Sequence, residues 1–366
     1  MICVICGKQT KLFFQSEKDL CISSDSKIRN EGIRIYQCIS CHHIQKLVDE
    51  KYRSEVINLY NDYEIYAITG GEEQVKFQKG QSPQTRSSMI IDHIKDALPP
   101  SGKLLDIGCG NGAFLKAFSA KLQNWDIYAQ DIHDDCKEEI LKIRNVKDFF
   151  AGPLSGIDAK FDFISLIHSF EHVEHPIQIL KDIKTLLKKD GLLLIQVPNI
   201  SENVFDGLIY DHISHFTPSA LARVVGTVFH HIFFPTQQIK KEITLLANSQ
   251  KIFPNTPQKK VEWVYSSSTN LENLNKLTRD VENIIKPTGV FGTANLGVYI
   301  GYLLDDFLAF FVDEDENRKG KSLLGKKVYH PRDVVHGTDV LLPFDPKQAS
   351  EIRERWKHLN YITISI

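Results

Sequence analysis

Apolar residues fall into short runs through the middle of the chain, punctuated by polar residues and glycines. Residues 103–107 form a run of strand length, and Ala113-Phe114-Leu115-Lys116-Ala117-Phe118 follows it with helical spacing. Further strands are expected at 125–130, 161–168 and 192–197, with a helix at 177–187 ahead of the last. Strand and helix in alternation predict a parallel sheet covered by helices on both faces, with ligands bound beyond the carboxyl ends of the strands. Residues 239–249 have the pattern of closing strands. Pro254 and Pro257 mark 255–260 as a linker. Beyond it, 271–285 is helical in pattern, 289–297 reads as another strand, turn and helix, and 307–312 is a strand ending at Asp313. Ahead of the sheet, Tyr60, Tyr63 and Tyr66 recur every third residue, which predicts one helical face docked on the next domain.

Composition narrows the class. A chain of 366 residues predicts two or three units, and 42% hydrophobic with 25% charged residues is ordinary for a globular protein. A net charge of -2 lacks the concentrated basic surface that nucleic acid or an anionic membrane requires. No secretory segment or membrane-length apolar run is recognisable, so a cytoplasmic protein is expected, without nucleic-acid or membrane partners.

Seven cysteines in a reducing compartment argue against a disulfide framework. Cys3 and Cys6 form one CxxC knuckle and Cys38 and Cys41 a second, the pattern of a closed four-thiolate shell for a structural Zn2+. Such a metal would compensate for the small core of a segment ending near residue 55. His42 and His43 are expected on the surface, because His42 abuts a ligand.

The chemistry centres on Leu105-Asp106-Ile107-Gly108-Cys109-Gly110-Asn111-Gly112. Glycines at alternate positions let a ligand lie on the main chain. Asp131, at the end of the second strand, is placed to accept a ribose diol. An acid at Asp106 would repel a pyrophosphate but suits a cationic amino group, which favours S-adenosylmethionine over NAD. On these residues the segment resembles the class I methyltransferases. The resemblance extends to 161–173, which matches the family's fourth-strand motif, and to 180–198, and covers about 102–226. Asp106, Gly108, Gly110, Gly112 and Asp131, with His168 and Tyr66, are the expected cofactor-binding set. His168-Ser169-Phe170-Glu171-His172 also has the spacing of an inverted zinc-protease motif; since His168 ends a strand, its two histidines are not expected to face each other.

Tyr210-Asp211-His212-Ile213-Ser214-His215-Phe216 follows the fifth strand, before a helix started by Thr217 and Pro218. Such a loop reaches over the methyl donor. An imidazole there, His212 or His215, can remove a substrate proton, with the adjacent Asp211 raising its basicity. The C-terminal pattern, with Val312-Asp313-Glu314-Asp315-Glu316 and Leu324-Gly325, resembles that of sugar C-methyltransferases. The resemblance implies three parts in order: a zinc-binding region (1–55), a methyltransferase domain (56–250) and a Rossmann-like substrate domain (251–366). It implies His212 as base, Asp211 beside it, Tyr63 or Tyr66 assisting, and a nucleotide-linked keto-sugar acceptor. Two positions depart from that family: Asp211 stands where it has glutamate, and Gly292-Thr293-Ala294-Asn295 replaces a lysine-containing turn. The expected architecture is α/β, with a central doubly wound Rossmann-like domain; the expected function is methyl transfer to a small sugar or nucleotide-linked sugar. O-methylation of a small molecule, an NAD-dependent oxidoreductase using the C-terminal turn, a non-catalytic zinc module, and methylation of a protein or RNA are the alternatives.

Overall fold

The alternation in the middle of the chain builds one seven-stranded sheet. Its strands are β1 (Gly102–Ile107), β2 (Trp125–Asp131), β3 (Val146–Ala151), β4 (Phe161–Ile167), β5 (Leu187–Pro198), β6 (His231–Phe233) and β7 (Glu242–Asn248), in the order β3-β2-β1-β4-β5-β7-β6. Strands β1 to β5 run parallel, and β7 is antiparallel to both β5 and β6. This computed structural model describes residues 1–61, 63, 71, 73, 75–76, 83–249 and 271–364. Tyr66 and the expected linker 255–260 lie outside the described residues.

Successive side chains of a strand point to opposite faces, so Leu104 and Leu105 serve different cores. Leu104 packs with Phe114, Phe118, Trp125 and Phe163, while Leu105 packs with Phe161, Leu180 and Leu193. The helix Ala113–Lys121 covers one face and Pro176–Leu186, with proline in its first turn, the other. Strand β3 has no counterpart among the expected elements: at the sheet edge it buries only Phe149 fully, and its apolar spacing is too irregular to announce a strand.

Strands Thr10–Gln15, Arg34–Cys38 and Ile44–Lys46 form an antiparallel N-terminal layer, and Ser214–His215 from the loop after β5 is its fourth strand. One apolar cluster runs from Phe14, Ile22 and Ile35 through Phe205, Leu208 and Tyr210 to Leu271, Leu274 and Tyr299, joining N-terminal, central and C-terminal segments. His43 corrects the expectation of a surface residue: it is 1% exposed and bonds Ser214 Oγ through Nε2 at 3.1 Å, because it leads into the strand that pairs with 214–215. The helix Glu50–Asn61 ends before Tyr63, so the tyrosines do not share one helix. Tyr60 and Tyr63 nevertheless pack on this common cluster.

The C-terminal sheet orders its strands Ser322–Leu323, Lys326–Tyr329, Leu308–Val312, Thr288–Phe291, Asp339–Leu342 and Asn360–Thr363, all parallel except the pairing of the first two. Asn295–Leu304 and Pro346–Arg355 are its helices, and Glu272–Glu282 precedes it. No helix among the described residues is long and apolar enough to cross a membrane.

Candidate functional site

The turn from β1 into its helix is made by three glycines with φ of 67°, 53° and 77° at Gly108, Gly110 and Gly112, a region that residues bearing a Cβ rarely enter. A Cβ on Gly108 would sit 2.6 Å from that of Ser169, so the turn after β4 closes directly on this backbone. Gly110 donates its N–H to Asp131 Oδ2 at 2.9 Å, and Ile132 donates to Oδ1 at 2.7 Å, which fixes the carboxylate beside the turn. Asp106 is 2% exposed and accepts from Ser165 Oγ at 2.6 Å. Burial pushes its carboxyl up to about 7, only partly countered by Ser165. Asn111 Nδ2 donates to the Gly71 carbonyl at 2.6 Å, tethering the segment before the domain to the turn.

His168 closes β4 with φ of 51°. Its Nδ1 lies 3.2 Å from Glu171 Oε1 and its Nε2 3.0 Å from Glu242 Oε2, so both ring nitrogens are committed to carboxylates. Burial and Arg86 oppose a charge on this ring, but Glu242 and Glu171 prevail and raise its pKa.

The loop after β5 brings a histidine cluster over the ends of β4 and β5. Ile213 N–H donates to the Glu171 carbonyl at 2.9 Å, pinning the loop to the turn after β4. The sequence suggested Asp211 as partner of His212; the structure assigns that place to Asp206, in the short 3-10 helix Val204–Leu208. His212 Nδ1 donates to Asp206 Oδ1 and His215 Nδ1 to Asp206 Oδ2, each at 2.6 Å. Burial alone would raise Asp206, yet the two imidazoles hold it far below the ordinary carboxylate range. Burial lowers His212, and Asp206 together with Glu171 and Asp211 more than offsets this. His215 is fully buried, and burial leaves its pKa lowered despite Asp206.

The Asp211 carboxylate bonds a different set of groups. Ser24 donates its N–H to Asp211 Oδ1 at 2.8 Å and its hydroxyl to Oδ2, and Tyr63 OH lies 2.9 Å from Ser24 Oγ. His172 Nδ1 donates to the Asp211 carbonyl at 2.9 Å, and Tyr60 OH lies 2.9 Å from the same nitrogen. The rings of His172 and His212 meet edge to face at a centroid distance of 4.7 Å. Thus the structure gathers His212, His215, Asp211 and Tyr63 in one region and adds Asp206, His172, Tyr60 and Ser24, which the sequence reading missed. The spacing of Asp206 six and nine residues before the two histidines was the available signal.

Cys3, Cys6, Cys38 and Cys41 place their sulfurs within 4.8 Å of one another. Cys3 Sγ to Cys41 Sγ is 3.5 Å and Cys6 Sγ to Cys38 Sγ 3.4 Å, too long for disulfides. Backbone N–H groups of Ile5, Ser40 and Cys41 approach the sulfurs at 3.4 Å, so the donor set suits a thiophilic cation. At the C-terminal turn, Asp313 Oδ2 accepts from Thr293 N–H at 3.1 Å and its Oγ1 at 2.6 Å, and from Arg318 Nη1 at 3.2 Å.

Residues 84–227 match a protein family described as a methyltransferase domain. The ubiquinone biosynthesis O-methyltransferase of Actinobacillus pleuropneumoniae is 30% identical over 107 residues, 26% of this chain and 46% of that protein. The ribosomal protein L11 methyltransferase of Thermoanaerobacter pseudethanolicus is 28% identical over 142 residues, 36% of this chain and 45% of that protein. The chain therefore spans less than half the length of these curated relatives. The solved structure of human N-acetylserotonin methyltransferase in complex with SAM aligns with a TM-score of 0.40 at 15% identity, covering 45% of this chain and 52% of that one. Residues 84–227 carry a class I S-adenosylmethionine-dependent methyltransferase domain.

Proposed function

We propose that this protein transfers a methyl group from S-adenosylmethionine to a carbon of a small sugar or nucleotide-linked keto-sugar, with His212 as general base. The observation that carries the reading is the Asp206–His212 pair: the 2.6 Å bond commits Nδ1–H to the carboxylate and leaves Nε2 as the proton acceptor. The Asp206 carboxylate then compensates the charge that the ring gains.

Gly108, Gly110 and Gly112 are suited to hold the cofactor against bare backbone, Asp131 to receive its ribose, and Asp106 to face its ammonium group. Bound there, S-adenosylmethionine supplies an electrophilic methyl that needs no further activation. The chain's own task is to align the acceptor and take one proton. Tyr63 reaches the cluster through Ser24 and Asp211, which suits it to orient the loop. His168, with both nitrogens tied to carboxylates, braces the turn after β4 beside the cofactor site. Cys3, Cys6, Cys38 and Cys41 hold a structural Zn2+ in this reading. The C-terminal sheet serves as a Rossmann-like domain for the acceptor's nucleotide; an NAD site there is disfavoured, because Thr293 and Arg318 already occupy Asp313. O-methylation would use the same base on a hydroxyl, and carbon is preferred through the resemblance to sugar C-methyltransferases.

Calorimetric titration with S-adenosylmethionine and with NAD, followed by assays on a panel of keto-sugar nucleotides, tests the proposal. Saturable binding of S-adenosylmethionine and exchange of the acceptor's α-proton are expected. Binding of NAD alone would overturn the methyl-transfer reading, and turnover only with hydroxyl acceptors would replace carbon by oxygen.

A further inference from the structure

The motif His168-Ser169-Phe170-Glu171-His172 has metal-site spacing, but the structure splits it. His168 turns to Glu171 and Glu242, and His212 from the loop after β5 comes up to Glu171 and His172 in its place. Donor atoms of Glu171, His172 and His212 lie within 4.8 Å of one another. Ligands around a tetrahedral ion at ~2.0–2.2 Å stand about 3.4 Å apart, so modest side-chain rotation closes the set.

Two observations point to a ligand here. Glu171 is 1% exposed, and its Oε2 has no hydrogen-bond partner, a costly state for a buried carboxylate oxygen. Independently, the opposite atom of each residue is already held. Asp206 takes His212 Nδ1, the Asp211 carbonyl takes His172 Nδ1, and His168 takes Glu171 Oε1. Those bonds fix each imidazole with its lone pair on Nε2. Outer carboxylates and carbonyls of this kind orient imidazole and carboxylate ligands around an ion.

We infer that Glu171, His172 and His212 form a second cation site, separate from the four cysteines, which takes a divalent transition ion of the Zn2+ or Co2+ type. Two imidazoles and a carboxylate match that class, whereas Mg2+ and Ca2+ prefer oxygen alone. Filling the site occupies the His212 Nε2 lone pair and stops proton removal, a consequence that rests on the base role proposed above.

The probe is Zn2+ or Co2+ added to the full chain after its thiolate site has received one equivalent of Zn2+. A second equivalent should bind, disappear with Glu171→Gln, and weaken about 10–100-fold with Asp206→Asn, which removes an outer partner. Melting temperatures establish that each variant is folded, and either variant suffices if the other is not. Failure to bind a second equivalent, or a second equivalent that survives the substitutions, overturns the site. The same titration is read in the methyl-transfer assay, where activity should fall with the second equivalent and return with a chelator too weak to strip four thiolates. Binding that leaves activity unchanged overturns the inhibition and the base role of His212 while the metal site stands. If the unaltered chain binds no second equivalent while His212→Ala loses turnover, the base role stands and the site falls.

Discussion

Two aspartates, each 2% exposed, sit on either side of the proposed methyl-transfer centre and behave in opposite ways. Asp106, in β1 below the glycine turn, has a hydroxyl for a partner, and burial drives its carboxyl up to about 7. Asp206, in the loop region, is shared by two imidazoles and held well below the usual range in spite of its burial. A neutral hydrogen bond leaves the desolvation of a carboxylate largely unrelieved, whereas two imidazoles beside it reverse the balance. The turn side is therefore a backbone cradle with one poised acid, and the loop side is a network of fixed charges.

The loop side also depends on the N-terminal layer, and removing the Zn2+ proposed for that layer gives the largest expected effect. Ser214–His215 pairs with Ile44–Lys46, a few residues past Cys41. Structural zinc sites supply on the order of 10 kcal/mol of apparent binding free energy, so stripping the proposed Zn2+ with a strong chelator should melt the layer and release the strand bearing His215. Thermal melting should move to lower temperature and the amides of 214–215 should exchange faster, while S-adenosylmethionine still binds the turn. An unchanged melt and unchanged turnover after chelation would break the link between the thiolate cluster and the loop.

Next in size is the base itself. His212→Ala should lower kcat by about two to four orders of magnitude while S-adenosylmethionine affinity stays within about twofold. The same measurement on Asp206→Asn and Asp211→Asn separates the two acids. Asp206→Asn removes the charge that fixes the His212 tautomer and should cost much more in kcat than Asp211→Asn, whose carboxylate serves Ser24. Equal losses would mean that the loop acts as one positional unit and that the direct bond has no special role.

The difference between the two sides also governs what could be read from the chain. The cradle is contiguous: Asp106, three glycines and the following helix lie within residues 106–121, and only backbone freedom and burial are needed to interpret them. Asp131 was reachable because strand and helix lengths are regular. The two CxxC knuckles declare themselves by spacing. The histidine network has no such period, since Ser24 meets Asp211 across 187 positions and Tyr60 meets His172 across 112. His212 and His215 stood out by residue type, but the carboxylate bonded to His212 is Asp206, and the adjacent Asp211 adds only a smaller electrostatic contribution. A turn in 204–208 points the carboxylate six residues back at the ring instead. Burial of His43 was hidden for a similar reason, because its partner Ser214 arrives from another part of the chain.

The smallest effect lies on the cradle side and is confined to a pH window. Asp106 rises from an ordinary value of 3.8 when unfolded to about 7 when folded. Below pH 4 both states hold the proton. As pH climbs from 4 to 7 the unfolded chain ionises first, so the stability associated with the protonated folded carboxyl is progressively lost, and above 7 the loss is complete. A rise of that size sets a ceiling of about 4 kcal/mol on the loss. Asp106→Asn keeps an acceptor for Ser165 and removes the charge; in the cofactor-free protein it should therefore be stabilised relative to wild type at pH 8 and indistinguishable at pH 4. Denaturant unfolding at both values measures this directly. A cationic amino group beside Asp106 would favour the ionised acid, so wild-type affinity for S-adenosylmethionine should tighten between pH 6 and 8 and that of the Asn variant should not. Parallel pH profiles for the two proteins would show that Asp106 supports the strand and takes no part in holding the cofactor.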